Sequence, residues 1–328
     1  MSDIRVVHVS ASPLVGAPLK IANLMRAAGV ASSSFCENDY PQSGPLFGKF
    51  TDGSFVLNDK SIKAGLIFQE ELEKCSVVHV HNYLSKATVE SILRHAPHAK
   101  FVFHVHSPLK EGPLYVERSE NMGIDFDLRL VVAQYQPRMY PNFVPVPNVV
   151  AVPPSVSYRE DGQKLRLCFT PSHSRGGRWN AKTNEAFDFA MKVVSSMRNV
   201  EVISPSSPVA PSTLLAMRRQ SHASIDEIVT GAFHQVSLES MVAGNVPING
   251  ADFFSVASLM DSFGCAPEDV PFVRANPSDL VEVISALAGD AQATRMAQSK
   301  SYDFACKYMG ADHVSNIFKG VYASLFKS

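Results

Sequence analysis

The 328-residue sequence has few cysteines, no strong excess of charge of either sign and no long apolar run. Its five cysteines are scattered and never form a C-x-x-C pair, which argues against a disulfide framework and a cysteine-rich zinc site. A net charge of −1 predicts no long-range attraction to nucleic acid or anionic lipid. The same scattered cysteines favour a reducing, cytoplasmic location. Because the apolar runs are too short for a membrane span and the N-terminus directly enters a strand pattern, we expect neither a membrane span nor a signal peptide.

Two nucleotide-binding motifs are also missing from the sequence. It has neither the G-x-x-x-x-G-K-[ST] spacing of a P-loop nor a G-x-G-x-x-G dinucleotide motif. What it does contain is a regular alternation of short apolar segments with helix-like segments. Strands are predicted at 4–9, 76–81, 100–106, 128–133, 148–152, 165–170, 199–204, 225–229 and 270–275. This order, interrupted by a proline-rich linker near residue 153, predicts two doubly wound α/β domains with parallel sheets and a cleft between them.

The stretch GAFHQVSLESMVAGNVPI, at 231–248, places one carboxylate among apolar and small residues. We expect a tight strand exit at Gly231, a helix from about Ser237 and its end at Gly244. The free amides at the start of such a helix suit a phosphate, and Glu239 in its first turns could accept hydrogen bonds from two ribose hydroxyls. The alternative is a solvated helix carboxylate near a favourable dipole end.

A basic segment joins the first predicted strand of the second domain to the next helix. It reads FTPSHSRGGRWNAKTNE at 169–185 and includes Ser172, Arg175, Arg178 and Lys182. Three cations and two glycines ahead of a helix make a plausible cradle for a diphosphate. A basic surface loop without a ligand is the alternative.

Histidines and one glycine loop mark the first domain. The SPLVGAP loop at 12–18 carries Gly16, where a backbone can approach a ligand closely. Strand alternation puts His79 with His81 on one sheet face, and likewise His104 with His106, the last residue of its strand. Because no carboxylate or cysteine stands at a matching spacing, buried hydrogen-bonded histidines are favoured over a metal cluster, and no metal site is predicted.

Taken together, these segments resemble the retaining GT-B glycosyltransferases, especially glycosyltransferase family 4. The stretch 231–248 is similar to that family's donor-site pattern, in which Leu-Glu-Ala-Met-Ala is followed by Gly and Pro-Val-Ile. Other segments follow in family order over most of the chain. The resemblance implies a GT-B fold of two Rossmann-like domains facing a cleft: an acceptor-side domain at 1–155, a donor domain at 156–312, and a C-terminal helix at 313–328 that crosses back to the first domain.

The resemblance further implies a hexosyl- or pentosyltransferase that moves a sugar from a nucleotide sugar such as a UDP-sugar, with retention and without a metal or other cofactor. His106 and Lys182 would be catalytic, and Gly16 and His106 would face the sugar. The implied donor-binding residues are Gly16, Ser172, Arg175, Arg178, Lys182, His234, Gln235, Ser237, Leu238 and Glu239. The acceptor is not specified: glycan, lipid-linked sugar, protein and modified nucleic acid all fit. The family also includes peripheral membrane proteins, although no basic amphipathic helix supports such contact here.

Two departures from the family pattern keep other functions open. The family often carries a second glutamate eight positions before Glu239, and that position is Gly231 here. Lys182 is followed by Thr183 instead of glycine, and either Arg175 or Arg178 could be the phosphate-binding arginine. A non-catalytic nucleotide-sugar-binding protein and a nucleotide-sugar epimerase on the same fold are therefore the alternatives to a transferase.

Overall fold

The computed structural model describes residues 4–39, 54–57, 62–106, 122–170, 183–205 and 209–327. The chain divides into two compact units. One comprises Met1–Val149 together with Ala311–Ser328, and the other comprises Val150–Gly310. The last helix of the chain therefore belongs to the first unit.

The first unit has a seven-stranded parallel sheet with the strand order β3-β2-β1-β4-β5-β6-β7. Its strands are β1 (Arg5–Ser10), β2 (Ala31–Cys36), β3 (Phe55–Val56), β4 (Val77–His81), β5 (Lys100–Val105), β6 (Leu128–Val132) and β7 (Val144–Val146). Its described helices are α1 (Ala17–Ala27), α2 (Ile62–Lys74), α3 (Lys86–His95) and, at the end of the chain, α10 (Ala311–Ser324).

The second unit has a five-stranded parallel sheet with the strand order β12-β11-β10-β8-β9. Its strands are β8 (Leu165–Phe169), β9 (Val200–Ile203), β10 (Ala223–Ile225), β11 (Val246–Asn249) and β12 (Val273–Arg274). Its described helices are α4 (Glu185–Ser196), α5 (Pro211–Arg219), α6 (Gln235–Val242), α7 (Phe253–Phe263), α8 (Leu280–Gly289) and α9 (Ala291–Tyr308).

Both sheets carry apolar cores because their strands are nearly continuous runs of buried residues. In the first unit, one sheet face packs Val7, Val78, Val80 and Phe103 into a core that also includes Phe68 of α2. The second core is built around buried residues of β8, β10 and β11, with α4 and α8 packed against them. Because both sheet faces are covered, even the histidines that alternate with valines in β4 are buried.

Two predicted strands differ from the observed ones, and the observed strand β2 was not predicted. The segment at 148–152 is not a strand, and β7 ends at Val146. The strand predicted at 225–229 ends at Ile225, because the side chains that follow bind loop amides. The serine-rich sequence of β2, ASSSFC, lacks the apolar pattern from which its neighbouring strands are predicted.

Candidate functional site

The segment that carries Glu239 follows the carboxyl end of β10 in the second unit. Its helix, α6, begins at Gln235, two residues before the predicted start, and His234 is its N-cap. The helix packs against α9 and β11, and Ser237 and Leu238 face the interior. Because Leu238 is only 2% exposed, its side chain serves the core of this unit.

A buried carboxylate already occupies the N-terminus of α6. One oxygen of Asp226 accepts hydrogen bonds from the His234 amide, from the Ser237 amide at 3.3 Å and from the Ser237 hydroxyl at 2.8 Å. The carboxylate thus caps the helix and neutralises its positive end. In the part of the chain that the structure describes, the amides left for another acceptor at this helix start are those of Gln235 and Val236. Since Asp226 occupies the amides of His234 and Ser237, the predicted phosphate site would have the amides of Gln235 and Val236 as its donors.

The neighbouring carboxylate, Glu227, organises the loop between β10 and α6. It accepts hydrogen bonds from the amides of Val229, Thr230 and Ala232 at 3.2, 2.9 and 2.8 Å. Glu227 is completely buried, and such an acceptor is retained only where several donors face it. The side chains of residues 226 and 227 thus hold a loop where the sequence pattern predicts a continuing strand.

Glu239 is ion-paired with a buried arginine. Its Oε2 lies 2.8 Å from Arg218 Nη1, and the two side chains are 25% and 2% exposed. The contact is an ion pair, and Nη1 of Arg218 has no hydrogen-bond acceptor among the described residues. The alternative of a solvated helix carboxylate does not describe this residue, because Glu239 faces the charge of Arg218 in the last turn of α5.

The same arginine reaches the end of β8. Arg218 Nη2 donates a hydrogen bond of 2.9 Å to the Thr170 hydroxyl, and Thr170 is the second residue of the basic segment and its last described residue before 171–182. Four predicted donor-binding residues, Ser172, Arg175, Arg178 and Lys182, lie outside the described residues. The chain enters their segment beside the Arg218–Glu239 pair, at the carboxyl edge of the sheet where ligands of parallel α/β sheets bind.

Gly231 stands where the resembled family often has a second glutamate. Its φ is +83°, and a Cβ there would lie 3.0 Å from Oδ2 of Asp252. The Gly231 carbonyl also accepts bonds from the Asp252 amide and the Ser255 hydroxyl, each at 2.9 Å. A side chain at 231 would thus be strained and crowded, while a carboxylate from the start of α7 already lies beside this position.

In the first unit, the loop after β1 has an unusual backbone. Leu14, Val15 and Gly16 have successive positive φ angles of 48°, 57° and 76°. Such a conformation is rare for a β-branched residue and costs on the order of 1–3 kcal/mol. Gly16 is then the N-cap of α1. The strained loop lies at the carboxyl end of the first sheet, as predicted for the glycine-rich loop.

Five histidines line one face of the same sheet, opposite its apolar core. His8 is in register with His79, and His81 with His104, so their side chains share a face. Two hydrogen-bonded rows result. In one, His8 Nδ1 lies 3.0 Å from His81 Nε2, and His81 Nδ1 lies 2.8 Å from His106 Nε2.

The second row connects the sheet to the C-terminal helix. His104 Nδ1 lies 3.2 Å from His79 Nε2, and His79 Nδ1 lies 2.9 Å from the hydroxyl of Tyr322 in α10. Burial raises the pKa of the Tyr322 phenol. The helix that the resemblance predicts to return to the first domain thus takes part in its polar layer.

Burial keeps these imidazoles neutral. Desolvation lowers the pKa of His8 and of His106 to about 3, and for His8 the nearby Arg26 acts in the same direction. It also lowers the pKa of His79, His81 and His104 well below the ordinary value of 6.5. At neutral pH, His106 can accept or donate a hydrogen bond at the sheet edge, but it is a weak base.

Two of these site residues were not found from the sequence. Arg218 lies in a helix that the sequence predicts, but its charge gives no sign that it is buried. Asp226 was placed inside a strand, and its cap reaches residues eight and eleven positions later. Only the long-range pairing shows that both belong to the site around Glu239.

Comparison with known proteins identifies the fold. No protein-family model and no curated protein matches the sequence. Among solved structures, an alpha-glucosyltransferase in complex with UDP-glucose and DNA containing an abasic site aligns over 100% of both chains, with a TM-score of 0.61 and 14% identity. OtsA in its apo form aligns over 99% of both chains, with a TM-score of 0.56 and 13% identity.

A third solved structure also aligns with this chain over nearly its full length. An alpha,alpha-trehalose-phosphate synthase (UDP-forming) from Burkholderia vietnamiensis aligns over 98% of this chain and 100% of its own, with a TM-score of 0.54 and 12% identity. None of the described helices is long and apolar enough to cross a membrane. The two parallel-sheet units and these full-length alignments confirm the predicted fold class: the chain has the GT-B fold.

Proposed function

We propose that this chain is a glycosyltransferase that moves a sugar from a nucleotide-sugar donor, in the first instance a UDP-sugar, to an acceptor. The observation that carries the proposal is the Arg218–Glu239 pair at the carboxyl edge of the second sheet, where Thr170 lies near the start of the basic segment. This arrangement lies on a fold shared over its full length with an enzyme solved with UDP-glucose.

In the proposed donor complex, each group has a separate task. Lys182, with Arg175 or Arg178, offsets the charge that develops on the leaving diphosphate, so that the reaction needs no metal ion. The backbone amides of Gln235 and Val236 add two uncharged hydrogen-bond donors for the diphosphate at the N-terminus of α6. Transfer with retention follows from the family resemblance and belongs to the proposal.

Glu239 is proposed to hold the donor ribose. Its Oε2 faces Arg218, which leaves Oε1 on a side chain that is 25% exposed. The arginine fixes the orientation of the carboxylate, and a fixed acceptor loses less entropy when it binds a hydroxyl. Arg218 is thus proposed to be a positioning residue for the donor, because it holds the carboxylate that binds the ribose.

Asp252 is proposed to supply the carboxylate that Gly231 lacks. Its Oδ1 accepts from the Ser255 amide at 2.9 Å and caps α7, while Oδ2 is the oxygen nearest to Gly231. The cap restricts the side chain so that the second oxygen stays beside this position. Asp252→Asn should reduce transfer to the acceptor more than it weakens binding of UDP, because the proposed contact is with the sugar.

The first experiment measures binding and transfer separately. Purified protein is screened by thermal shift with UDP, GDP and ADP, since a ligand that binds the folded state raises its apparent stability. The nucleotide that binds is then supplied as a labelled sugar donor with glycan, lipid-linked, protein and DNA acceptors. Binding without transfer to any acceptor would leave the non-catalytic protein as the better description, and an isomerised donor would indicate an epimerase.

A second experiment tests the phosphate assignment. Lys182→Ala should weaken UDP binding by about 1.5–3 kcal/mol and leave uridine binding unchanged, because a charge-assisted hydrogen bond to phosphate is lost. The matched control is Lys164→Ala, which removes a lysine just before the amino end of β8. An equal loss for UDP and uridine would remove Lys182 from the phosphate site.

A further inference from the structure

The histidine face of the first unit has more nitrogen atoms than it has hydrogen-bond partners. A neutral imidazole has one N–H and one lone pair, so a row of histidines ends with an unused nitrogen. In the described structure, Nε2 of His8 and Nε2 of His104 are buried and have no partner, and the two residues are 0% and 1% exposed. Unpaired buried nitrogen is costly unless a ligand satisfies it.

Two trios of these histidines are compact enough to surround one ion. In each trio, one ring nitrogen of every histidine lies within 4.8 Å of one ring nitrogen of both others. The trios are His8, His79 and His81, and His81, His104 and His106. In a tetrahedral site with bonds of about 2.0–2.1 Å, ligand nitrogens stand about 3.3 Å apart, so small side-chain rotations would be enough.

The second trio is the better site, for two reasons. The first trio is completely buried, and both nitrogens of its His79 already bond to Tyr322 and His104. The second trio ends at His106, which is half-buried and follows the last residue of β5, so an ion and a water molecule could reach it.

We propose that His81, His104 and His106 bind a divalent transition-metal ion of the zinc type, with a fourth coordination position open at the carboxyl edge of the first sheet. His104 would coordinate through Nε2, the buried nitrogen without a partner. His81 and His106 would coordinate through the nitrogens that now face each other at 2.8 Å. Imidazole ligands suit Zn²⁺, Co²⁺, Ni²⁺ and Cu²⁺, and three protein ligands with one open position are common for zinc.

The hydrogen bonds around the trio complete the site. A metal-bound histidine usually donates its other N–H to a fixed acceptor. If Nε2 of His104 binds the ion, its Nδ1–H donates to His79, which in turn bonds to Tyr322. His81 has His8 as the corresponding partner.

The proposal differs from the expectation drawn from the sequence, and the sheet register explains why. Within each strand, the histidine spacing offers two ligands at most, and no carboxylate or cysteine completes the set. The parallel register of β4 with β5 brings the third imidazole alongside. The metal site does not rest on the proposed transfer reaction. Because an ion would engage the imidazole of His106, binding is measured without a sugar donor.

The test uses tag-free protein from which metal has been removed with a chelator. Zn²⁺ is titrated by calorimetry in competition with a colorimetric chelator, and Co²⁺ is titrated by visible absorption, which distinguishes tetrahedral from octahedral coordination. We expect one Zn²⁺ per chain and a tetrahedral Co²⁺ spectrum. His106→Ala should weaken Zn²⁺ binding by at least about 100-fold, since even the loss of an outer-shell partner costs about 10–100-fold.

Two variants complete the design. Tyr322→Phe, which changes only the outer hydrogen bond, should weaken binding by about tenfold. His95→Ala removes a histidine outside the cluster that bonds to Glu73 and should have no effect. Circular dichroism verifies that each variant is folded, with His106→Gln replacing His106→Ala if the latter is not. Equal affinities of wild type and the folded His106 variant, or an octahedral Co²⁺ spectrum, would overturn the proposal.

Discussion

Both sheets bury polar groups beside an apolar core, but the polar groups of the first sheet are neutral and those of the second are charged. On the first sheet, five neutral imidazoles bond to one another and to one tyrosine hydroxyl. On the second, carboxylates lie buried or half-buried, and each faces a fixed partner: Asp226 the start of α6, Glu227 three loop amides, and Glu239 the guanidinium of Arg218.

The difference determines which change should disturb each unit. A neutral layer needs no counter-charge, but it cannot accept protons without losing its hydrogen bonds. Each charge on the second sheet, by contrast, depends on the group that faces it. Acid should therefore act mainly on the first unit, whereas removal of one partner should act most strongly on the second.

The largest expected effect is acid unfolding of the first unit in metal-free protein. In the unfolded chain histidine binds a proton near pH 6.5, but His8 and His106 resist it down to about pH 3. Their contribution to stability is thus complete above pH 6.5 and is lost as the pH falls towards 3. At pH 5, His8 and His106 each cost about 2 kcal/mol, and the lowered pKa values of His79, His81 and His104 add to this loss, which becomes a large part of the stability of a domain.

The second unit provides the internal control for this experiment. There, burial lowers the pKa of His222 to about 4, which predicts a loss of about 2 kcal/mol at pH 5. Pulse-labelling hydrogen exchange at pH 7 and pH 5, with chelator present, reports both units at once. Peptides from β1, β4 and β5 should lose protection while those from β8, β10 and β11 keep it. Equal loss in both sheets would contradict the contrast.

The next effect in size tests the charged pair in the second unit. Glu239→Gln leaves the cation of Arg218 facing a neutral amide, and we expect a loss of about 3 kcal/mol in the free energy of unfolding. The matched control is Glu201→Gln, which breaks a pair with Arg166 at 3.5 Å whose side chains are about half exposed. That change should cost less than about 0.5 kcal/mol.

Denaturant unfolding at pH 7 measures both variants, with Arg218→Met as a third. If Glu239→Gln is no more destabilising than Glu201→Gln, the buried pair does not support the fold. The proposed ribose contact of Glu239 can be tested by comparing the binding of UDP with that of its 2′,3′-dideoxy analogue, which lacks the ribose hydroxyls. The loss of stability sets a condition for this comparison. Binding by Glu239→Gln must be measured at a temperature where the variant is fully folded.

A smaller effect is expected at the helix cap. Asp226→Asn keeps an acceptor for the amides of His234 and Ser237 but removes the negative charge from the start of α6. Losing the favourable interaction with the helix dipole should cost about 1–2 kcal/mol at this buried position. Asp290→Asn changes an exposed cap, whose carboxylate accepts a hydrogen bond of 2.8 Å from the Ala293 amide. This change should cost only a few tenths of a kcal/mol.

Denaturant midpoints compare the two asparagine variants directly. A loss for Asp290→Asn equal to that for Asp226→Asn would show that burial does not strengthen the cap. Asparagine has no negative charge to neutralise the positive N-terminal end of α6. Asp226→Asn should therefore keep or improve UDP binding if the Gln235 and Val236 amides contact phosphate.

The sequence predicted the fold better than the site, and particular residues show why. Apolar runs such as the one around His79 predict strands because burial on both faces requires them, and the order of these runs predicts two parallel sheets. Glu239 was found from a local motif. Its partner Arg218 lies 21 positions earlier, and no local pattern reports a contact across that separation. The histidine layer likewise depends on register between strands, which alternation within one strand does not determine.

The smallest expected effect concerns the hydroxyl that connects α10 to the histidine layer. Tyr322→Phe keeps the ring, which is 1% exposed, but removes the bond to Nδ1 of His79. A buried imidazole nitrogen then has no partner, which should cost about 1 kcal/mol, less than the loss of any charged partner in the second unit. The control is Tyr302→Phe, whose hydroxyl bonds to the partly exposed carbonyl of Pro153, a group that water can reach instead. Denaturant unfolding in 0.1 M and 1 M salt compares the two variants. The Tyr322→Phe loss should be the same at both salt concentrations, because neither partner is charged, and a loss that shrinks with salt would show that the layer carries charge after all.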